Sequence, residues 1–475
     1  MSESLAGDDT ELRVLSFNCW GLKFVSKDRQ QRFRAIADEL AESPYDIIAL
    51  QEVWVRADYE LIRSRVSARL PYAKVFYAGA LGAGIAILSR FPILETSSFS
   101  YTHNGSPIDV AAGDWIVGKG LFSAVISHPI LDEVEIFNTH MNAGGGDSGT
   151  NEVARISRIT AAWELTKRIR HSAALGRHVI VTGDFNSIPS SLVMFIIREH
   201  GLLVDAWATA HPRTRNLEEH EEIDSPQKAI DHYGVTADSP FNTYSASKTF
   251  EGIAGRWKGK RLDYILYRGP ARFHRRWRRR GETTANPVDE IPILLCTSSK
   301  VAMMGKVPGY EMSLSDHFGV EATLFIQYPS ANSVAPPPAA PTVWDTSAYA
   351  SQQQHDIGTG DAFDIKISQQ TVEAMLQAIA GAYRASRSRS QKHLTIFGTC
   401  VVVLCGLIVG SAWQPMPAVN PLLVLIAGAC SWLGTTMLYS GFIWGRWELN
   451  WLMTVIEELE LLNRGRVTVA SRQSR

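Results

Sequence analysis

The stretch HVIVTGDFNSIPSS, His178–Ser191, decides how the rest of the chain is read. It begins as an apolar run, His178-Val179-Ile180-Val181, and stops at Gly183-Asp184-Phe185-Asn186. A short apolar, β-branched run closed by turn residues reads as a buried strand. Its last residues have an ordinary use, because Asp and Asn at a strand end form Asx turns and cap the helix that follows. One strand ending this way needs no other explanation, but several do.

Five more runs carry polar, chemically able side chains at or near their ends. VLSFNCWG ends at Asn18, IIALQEVW at Gln51-Glu52, and IFNTHMNAGGG at Asn138 and His140. RLDYILY carries Asp263 between apolar neighbours, and LSDHFG presents Asp316 and His317. Turns alone do not account for so many such ends in one region. Helical patterns lie between some of the strands. DRQQRFRAIADELAES places Phe33, Ile36, Ala37 and Leu40 on one face, and NEVARISRITAAWELTKRIRHSAA does the same with Val153, Ile156, Ile159 and Trp163. Residues 12–328 therefore read as one layered α/β domain with mixed sheets.

A chain of 475 residues implies two or three units. Lys plus Arg number 47 against 48 Asp plus Glu, so no basic excess marks a general nucleic-acid binder. The five cysteines are too few and too scattered for a disulfide framework, and no CxxC pair suggests zinc, which fits a reducing compartment. The polar, acidic start MSESLAGDDTELR has no apolar core of a secretory signal.

After residue 328 the composition changes. Residues 329–364 are rich in Pro, Ala, Ser and Gln and read as a linker. Residues 365–393 read as a juxtamembrane helix that turns basic at Arg384, Arg387, Arg389 and Lys392. Two uncharged stretches follow, 394–413 and 422–444, each long enough to span a hydrocarbon core of about 30 Å. The loop between them has no Lys or Arg, while basic residues precede the first span and Arg446 follows the second. The positive-inside rule predicts a hairpin with both flanks and the N-terminal domain in the cytosol. The membrane is expected to be the endoplasmic reticulum or another intracellular one, with no motif that chooses between them. The tail, 445–475, places Leu452, Ile456, Leu459 and Leu462 on one stripe, fit to lie on the membrane or to pair with another helix.

The strand ends suit phosphate chemistry. Mg²⁺ takes oxygen ligands and keeps several waters, so one or two carboxylates suffice, and Glu52 is the best ligand candidate. His140 and His317 can serve as general base and acid or stabilise an oxyanion near neutral pH. Asp263 or Asp316 can orient a histidine and stabilise its charged form. Asn18 and Asn186 can donate to a phosphoryl oxygen without adding negative charge.

The ordered set FNCWG, QEVW, NTH, GDFN, RLDYILY and LSDHFG resembles the metal-dependent endonuclease/exonuclease/phosphatase superfamily. Within it, the chain is similar to the neutral sphingomyelinase branch, which includes the fungal inositol phosphosphingolipid phospholipases C. NCWG, LQEVW, a GDW with a lysine five residues after its Asp (Asp114 to Lys119) and a C-terminal double span carry that narrower likeness. The resemblance implies a four-layered α/β sandwich of the deoxyribonuclease I type followed by a two-helix transmembrane hairpin. It also implies Glu52 as the Mg²⁺ ligand, His317 as general base with Asp316 before it, His140, Asp184 and Asn186 on the phosphate, and Asn18 beside the metal. The segment GDWIVGKG, Gly113–Gly120, lacks the spacing of an ATP-binding loop, and Asp114 and Lys119 are expected to hold a loop over the substrate or to mediate lipid activation.

The implied reaction is Mg²⁺-dependent hydrolysis of a membrane phosphosphingolipid, sphingomyelin or an inositol phosphosphingolipid, to ceramide and a phosphorylated head group. A nuclease of the same superfamily is the main alternative, supported by the basic run ARFHRRWRRRG, Ala271–Gly281. Anionic membranes attract such runs equally, so no nucleic acid is expected, and an anionic phospholipid activator is. A phosphoinositide phosphatase shares GDFN and SDH but not the context of RLDYILY, and the intact set of polar strand ends argues against an inactive tether.

Overall fold

The computed structural model describes residues 9–109, 113–144, 152–212, 222–271, 292–327 and 367–473. The proposed linker and all of the basic run after Ala271 lie outside them, as do Gly145 and Gly146 of the run after His140. The strands are β1 (Glu11–Asn18), β2 (Ile47–Gln51), β3 (Tyr72–Phe76), β4 (Ile85–Ser89), β5 (Ile93–Ser100), β6 (Gly120–His128), β7 (Asp132–His140), β8 (His178–Asp184), β9 (Val204–Asp205), β10 (Asp263–Arg268), β11 (Ile293–Ala302) and β12 (Gly319–Gln327). They form two six-stranded mixed sheets, ordered β11-β12-β1-β2-β4-β3 and β5-β6-β7-β8-β10-β9.

The sheets face each other across one core. Leu12, Val14, Ile47 and Ile87 of the first meet Phe122, Ile136, Ile180 and Ile265 of the second. Side chains alternate along a strand, so Leu15 and Phe17 of β1 turn the other way and pack against the helices Arg29–Glu42 and Arg56–Val66. Behind the second sheet, Val179 and Val181 pack against the helices Glu152–Ala174 and Leu192–Gly201. Helix, sheet, sheet and helix make the expected four layers.

The C-terminal region joins this body. Helix Gln369–Ser411 runs 43 residues, about 65 Å at 1.5 Å per residue, and passes through the expected boundary at residue 393 without a break. Its first half buries Val372, Met375 and Ile379 in the core behind the second sheet. Helix Asn420–Leu438, a π-helical turn over Tyr439–Trp444 and helix Gly445–Gln473 return the chain, and Leu452, Val455 and Leu459 enter the same core. The striped tail thus pairs with helix and domain rather than lying free. Two helices, Gln369–Ser411 and the continuous run Pro417–Gly465, are long and apolar enough to cross a membrane, and their most apolar stretches are almost wholly exposed.

Candidate active site

The period of two along the strands builds the site. On β1 the face that carries Leu12 and Val14 into the inter-sheet core ends at Asn18; on β7 the face of Val134 and Ile136 ends at Asn138 and His140. On β8 the face of Ile180 ends at Asp184, and on β10 the face of Ile265 and Tyr267 begins at Asp263. One row of positions therefore supplies apolar core along the sandwich and polar groups at its open end. Beneath those groups Asn138 clasps the two sheets. Its Nδ2 donates to the carbonyls of Leu50 and Ala86 at 3.0 and 3.1 Å, and its Oδ1 accepts from Gln51 Nε2 at 2.8 Å.

The register places the chemistry. Asp184 is paired with His140 on one side and with Asp263 on the other. Glycine at position 183 permits this approach: at φ 146° its backbone suits few other residues, and a Cβ there would lie 2.1 Å from the Thr139 carbonyl. Trp20, Glu52 and Asn186 adopt left-handed conformations, φ 47°, 58° and 48°. Such conformations are unusual for residues with side chains and gather at functional sites. Gly21 packs on the Glu52 turn, where a Cβ would lie 2.2 Å from the Glu52 carbonyl.

Asn18 Nδ2 donates to Glu52 Oε1 at 3.2 Å and to Asp184 Oδ2 at 3.0 Å, so two carboxylates converge on one amide. Asn186 Nδ2 donates to the Met141 carbonyl at 3.0 Å, and its backbone N–H donates to Asp184 Oδ1 at 2.9 Å. His317 Nδ1 lies 2.9 Å from Asp263 Oδ2, and its Nε2 lies 3.8 Å from Asp184 Oδ2. Of the two aspartates that can orient His317, it is Asp263 that contacts the ring. Asp316 instead accepts from Ser315 Oγ at 3.4 Å. Lys119 Nζ donates to His140 Nε2 and to the Met141 carbonyl, both at 2.9 Å, and lies 3.3 Å from Asp114 Oδ1.

The pKa values of the two histidines are shifted in opposite directions. Burial lowers the His140 pKa well below its usual value, and the charges of Lys119 and His317 lower it further, so the ring is neutral. Because Lys119 can only donate, His140 Nε2 accepts and Nδ1 carries the proton. That Nδ1 is buried and has no hydrogen-bond partner among the described residues. Burial also works against a charged His317, but Asp263, Asp184 and Asp316 around it outweigh that cost and hold its pKa well above the usual value. Burial pushes the Asp184 carboxyl up to about 7, helped by the charge of Asp263.

The donor set fits a hard divalent cation. Asp184, Asp263 and His317 offer ligand atoms within 4.8 Å of one another, and Asp263 Oδ1 is buried with no hydrogen-bond partner among the described residues. Glu52 stands outside that cluster, held by the Asn18 amide and by Trp54 Nε1 at 3.5 Å; among the described residues no Lys or Arg forms an ion pair with it. Crowded carboxylates with few cations are what Mg²⁺ neutralises.

Arg32 supports the site from outside the strand-end motifs. Fully buried, it donates to the carbonyls of Cys19, Trp20 and Leu314 at 2.9, 2.6 and 3.0 Å, tying the loop after Asn18 to the segment before His317. Its signal was available, since Arg32 shares the apolar helical face of Ile36 and Leu40 at spacings of four residues.

Comparison with known proteins agrees with this architecture. A model of the Endonuclease/Exonuclease/phosphatase family matches residues 15–317. The chain is 32% identical to the Inositol phosphosphingolipids phospholipase C of Schizosaccharomyces pombe, over 95% of its own length and 94% of the relative's. It is 28% identical to the protein of the same name from Saccharomyces cerevisiae, over 94% and 89%. To Sphingomyelin phosphodiesterase 2 of Homo sapiens it is 29% identical, over 67% and 65%.

Proposed function

The chain belongs to the Endonuclease/Exonuclease/phosphatase family, and from that premise we propose that it is a membrane-anchored, Mg²⁺-dependent phospholipase C acting on phosphosphingolipids. It is an enzyme of the phosphodiesterase kind named in its relatives. The observation that carries the reading is the Asp263–His317 pair beside Asp184, His140 and Asn186 at one end of the sandwich. Inositol phosphosphingolipids are the favoured substrates, because the likeness to the two yeast proteins extends through the C-terminal helices.

In this reading His317, held through Nδ1 by Asp263, presents Nε2 to the attacking water and takes its proton as the oxygen bonds to phosphorus. His140 presents Nδ1–H to a phosphoryl oxygen, and Lys119 fixes that tautomer. Asn186 adds a neutral donor through the second hydrogen of its amide, while Asn18, which gives both amide hydrogens to Glu52 and Asp184, fixes those carboxylates. The bond that breaks is the one from phosphorus to the ceramide oxygen, which takes a proton from solvent water as it leaves. Mg²⁺ held by Glu52 and Asp184 would supply positive charge to the phosphoryl group and, by neutralising Asp184, weaken the field that keeps His317 protonated. In this reading the domain faces the cytosol, which the basic flanks of the two spans support through the positive-inside rule. Anionic lipid is the proposed activator. Arg389 contributes little to that attraction, since it pairs with Glu448 at 2.6 Å.

The test is full-length protein in mixed micelles with Mg²⁺, offered inositol phosphoceramide, sphingomyelin and plasmid DNA side by side. Metal-dependent release of ceramide, without DNA nicking, is expected; nicking without ceramide overturns the reading. His317→Ala lowers turnover by about 10²–10⁴-fold, the usual range for loss of a general base. Glu52→Gln raises the Mg²⁺ concentration needed for half-maximal rate, and an unchanged Mg²⁺ titration removes Glu52 from the ligand set.

A further inference from the structure

The foot of the second apolar helix touches the rim of the active site, and the contact can be followed residue by residue. Trp444 meets Trp115 edge to face, ring centroids 6.5 Å apart. Trp115 belongs to the short helix Asp114–Val117, two residues before Lys119 turns into the site. That helix abuts the loop 77–84. Ala80 N–H donates to the Ile116 carbonyl at 2.8 Å, and a Cβ on Gly79 would lie 2.5 Å from the same carbonyl oxygen. At its far end the loop reaches the Glu52 wall. Val53 N–H donates to the Gly84 carbonyl at 2.9 Å, and Gly84 packs under the Trp54 indole that donates to Glu52. The rim thus runs from Trp444 through Trp115 and the loop 77–84 to Glu52, with Lys119 and His140 on its other side.

This rim is apolar outward and polar inward. Tyr77 is 62% exposed, Leu81 57% and Trp115 39%, while Asp114 and Lys119 are buried against each other. Scattered exposed apolar residues are ordinary; a row continuous with an exposed membrane-length helix points to the same apolar medium. The domain does not swing freely on its anchor. Glu448, four residues past Trp444, is buried and bonded to His103 of the domain at 2.9 Å and to Arg389 of helix Gln369–Ser411 at 2.6 Å. His103 Nδ1 in turn lies 2.8 Å from Ser157 Oγ. Helix pair and rim are therefore held in one geometry.

We propose that Tyr77, Leu81 and Trp115 form an interfacial lip, seated at the boundary of head groups and acyl chains in the bilayer that the two spans enter, so that the active-site rim opens onto the lipid surface. The proposal rests on the membrane-anchored reading above and adds where the enzyme meets its substrate. Aromatic and aliphatic side chains on a polar body suit that boundary. A lipid whose acyl chains stay in the membrane then needs only its head group lifted over the lip.

The experiment uses the full chain reconstituted in vesicles, with Tyr77→Ser/Leu81→Ser as one variant and Trp115→Ser as another. Carbonate extraction separates the two ideas: release of the wild-type protein defeats the anchored reading itself, and retention of wild type and variants leaves the lip to be judged on activity. Loss of buried apolar contact should lower hydrolysis of a long-chain phosphosphingolipid in vesicles about tenfold while sparing a short-chain, water-soluble analogue. Unchanged hydrolysis in vesicles, or equal loss on both substrates, overturns the proposal. A fluorophore on Leu81→Cys, with Cys405 and Cys430 replaced by Ser, should be quenched by lipid-borne quenchers and shielded from aqueous ones. Free access of the aqueous quencher, from open solvent or after burial against a second copy that excludes lipid, also overturns it.

Discussion

The two sheets are covered on their outer faces in different ways. The first is covered by helices Arg29–Glu42 and Arg56–Val66, close in sequence to β1 and β2. The second is covered by helices Glu152–Ala174 and Leu192–Gly201, and these are covered again by helices from beyond residue 367. The first cover writes a clean pattern, because Phe33, Ile36, Ala37 and Leu40 are buried while Arg34, Asp38 and Glu39 on the other side are exposed. The second does not. Helix Glu152–Ala174 buries Ile156, Ile159 and Trp163 but also Ala154, Ala161, Ala162, Leu165, Thr166 and Ile169. A helix with one partner shows its partner in its periodicity; a helix between two layers blurs it.

The comparison can be broken most directly by cutting the chain. Truncation after residue 328 strips Ile367, Val372, Met375, Ile379, Leu452, Val455 and Leu459 from the core behind the second sheet. At about 1.5–3 kcal/mol per buried side chain, the loss is on the order of 10 kcal/mol, as large as a typical domain's whole stability. The fragment should be insoluble or should lose near-ultraviolet circular dichroism. A well-folded fragment would make the C-terminal helices a mere anchor.

Next in size is Glu448→Ala, which leaves buried His103 and half-buried Arg389 without their shared carboxylate. Breaking such a buried cluster costs about 3–5 kcal/mol, read as a shift in the denaturation midpoint in detergent. Leu459→Ala and Leu40→Ala, one in each cover, should each cost about 2–5 kcal/mol. Limited proteolysis sharpens the contrast, since Leu459→Ala should expose the second sheet's cover and Leu40→Ala the first's. The smallest effect belongs to Glu458→Ala. Its contacts with Lys167 at 2.8 Å and Trp163 Nε1 at 2.6 Å are partly exposed, so about 1 kcal/mol or less is expected.

Much of the site was legible because it lies on strand ends. The row that buries Val134 and Ile136 ends at His140, and the row that buries Ile180 ends at Asp184; a period of two is a local signal that survives in one sequence. Lys119 stands out in the sequence through its place in GDWIVGKG, but no local pattern carries its donation to His140 Nε2, since the two residues meet only when β6 and β7 pair. Asn138 is one polar strand end among several in the sequence, and only the second sheet packing on the first makes it a clasp.

By itself the sequence determined the polar strand ends, the order of the motifs, the α/β alternation and two uncharged stretches of membrane length. These are set by composition and period within a few residues of each other. The tertiary structure decided which aspartate meets His317, because β8 and β10 align Asp263 with Asp184 while Asp316 turns to Ser315. It also decided that Glu448 binds His103 across 345 residues and that the terminal helices complete the domain they were expected only to anchor. Such choices turn on which surfaces remain apolar once the sheets have packed, and no local pattern records that.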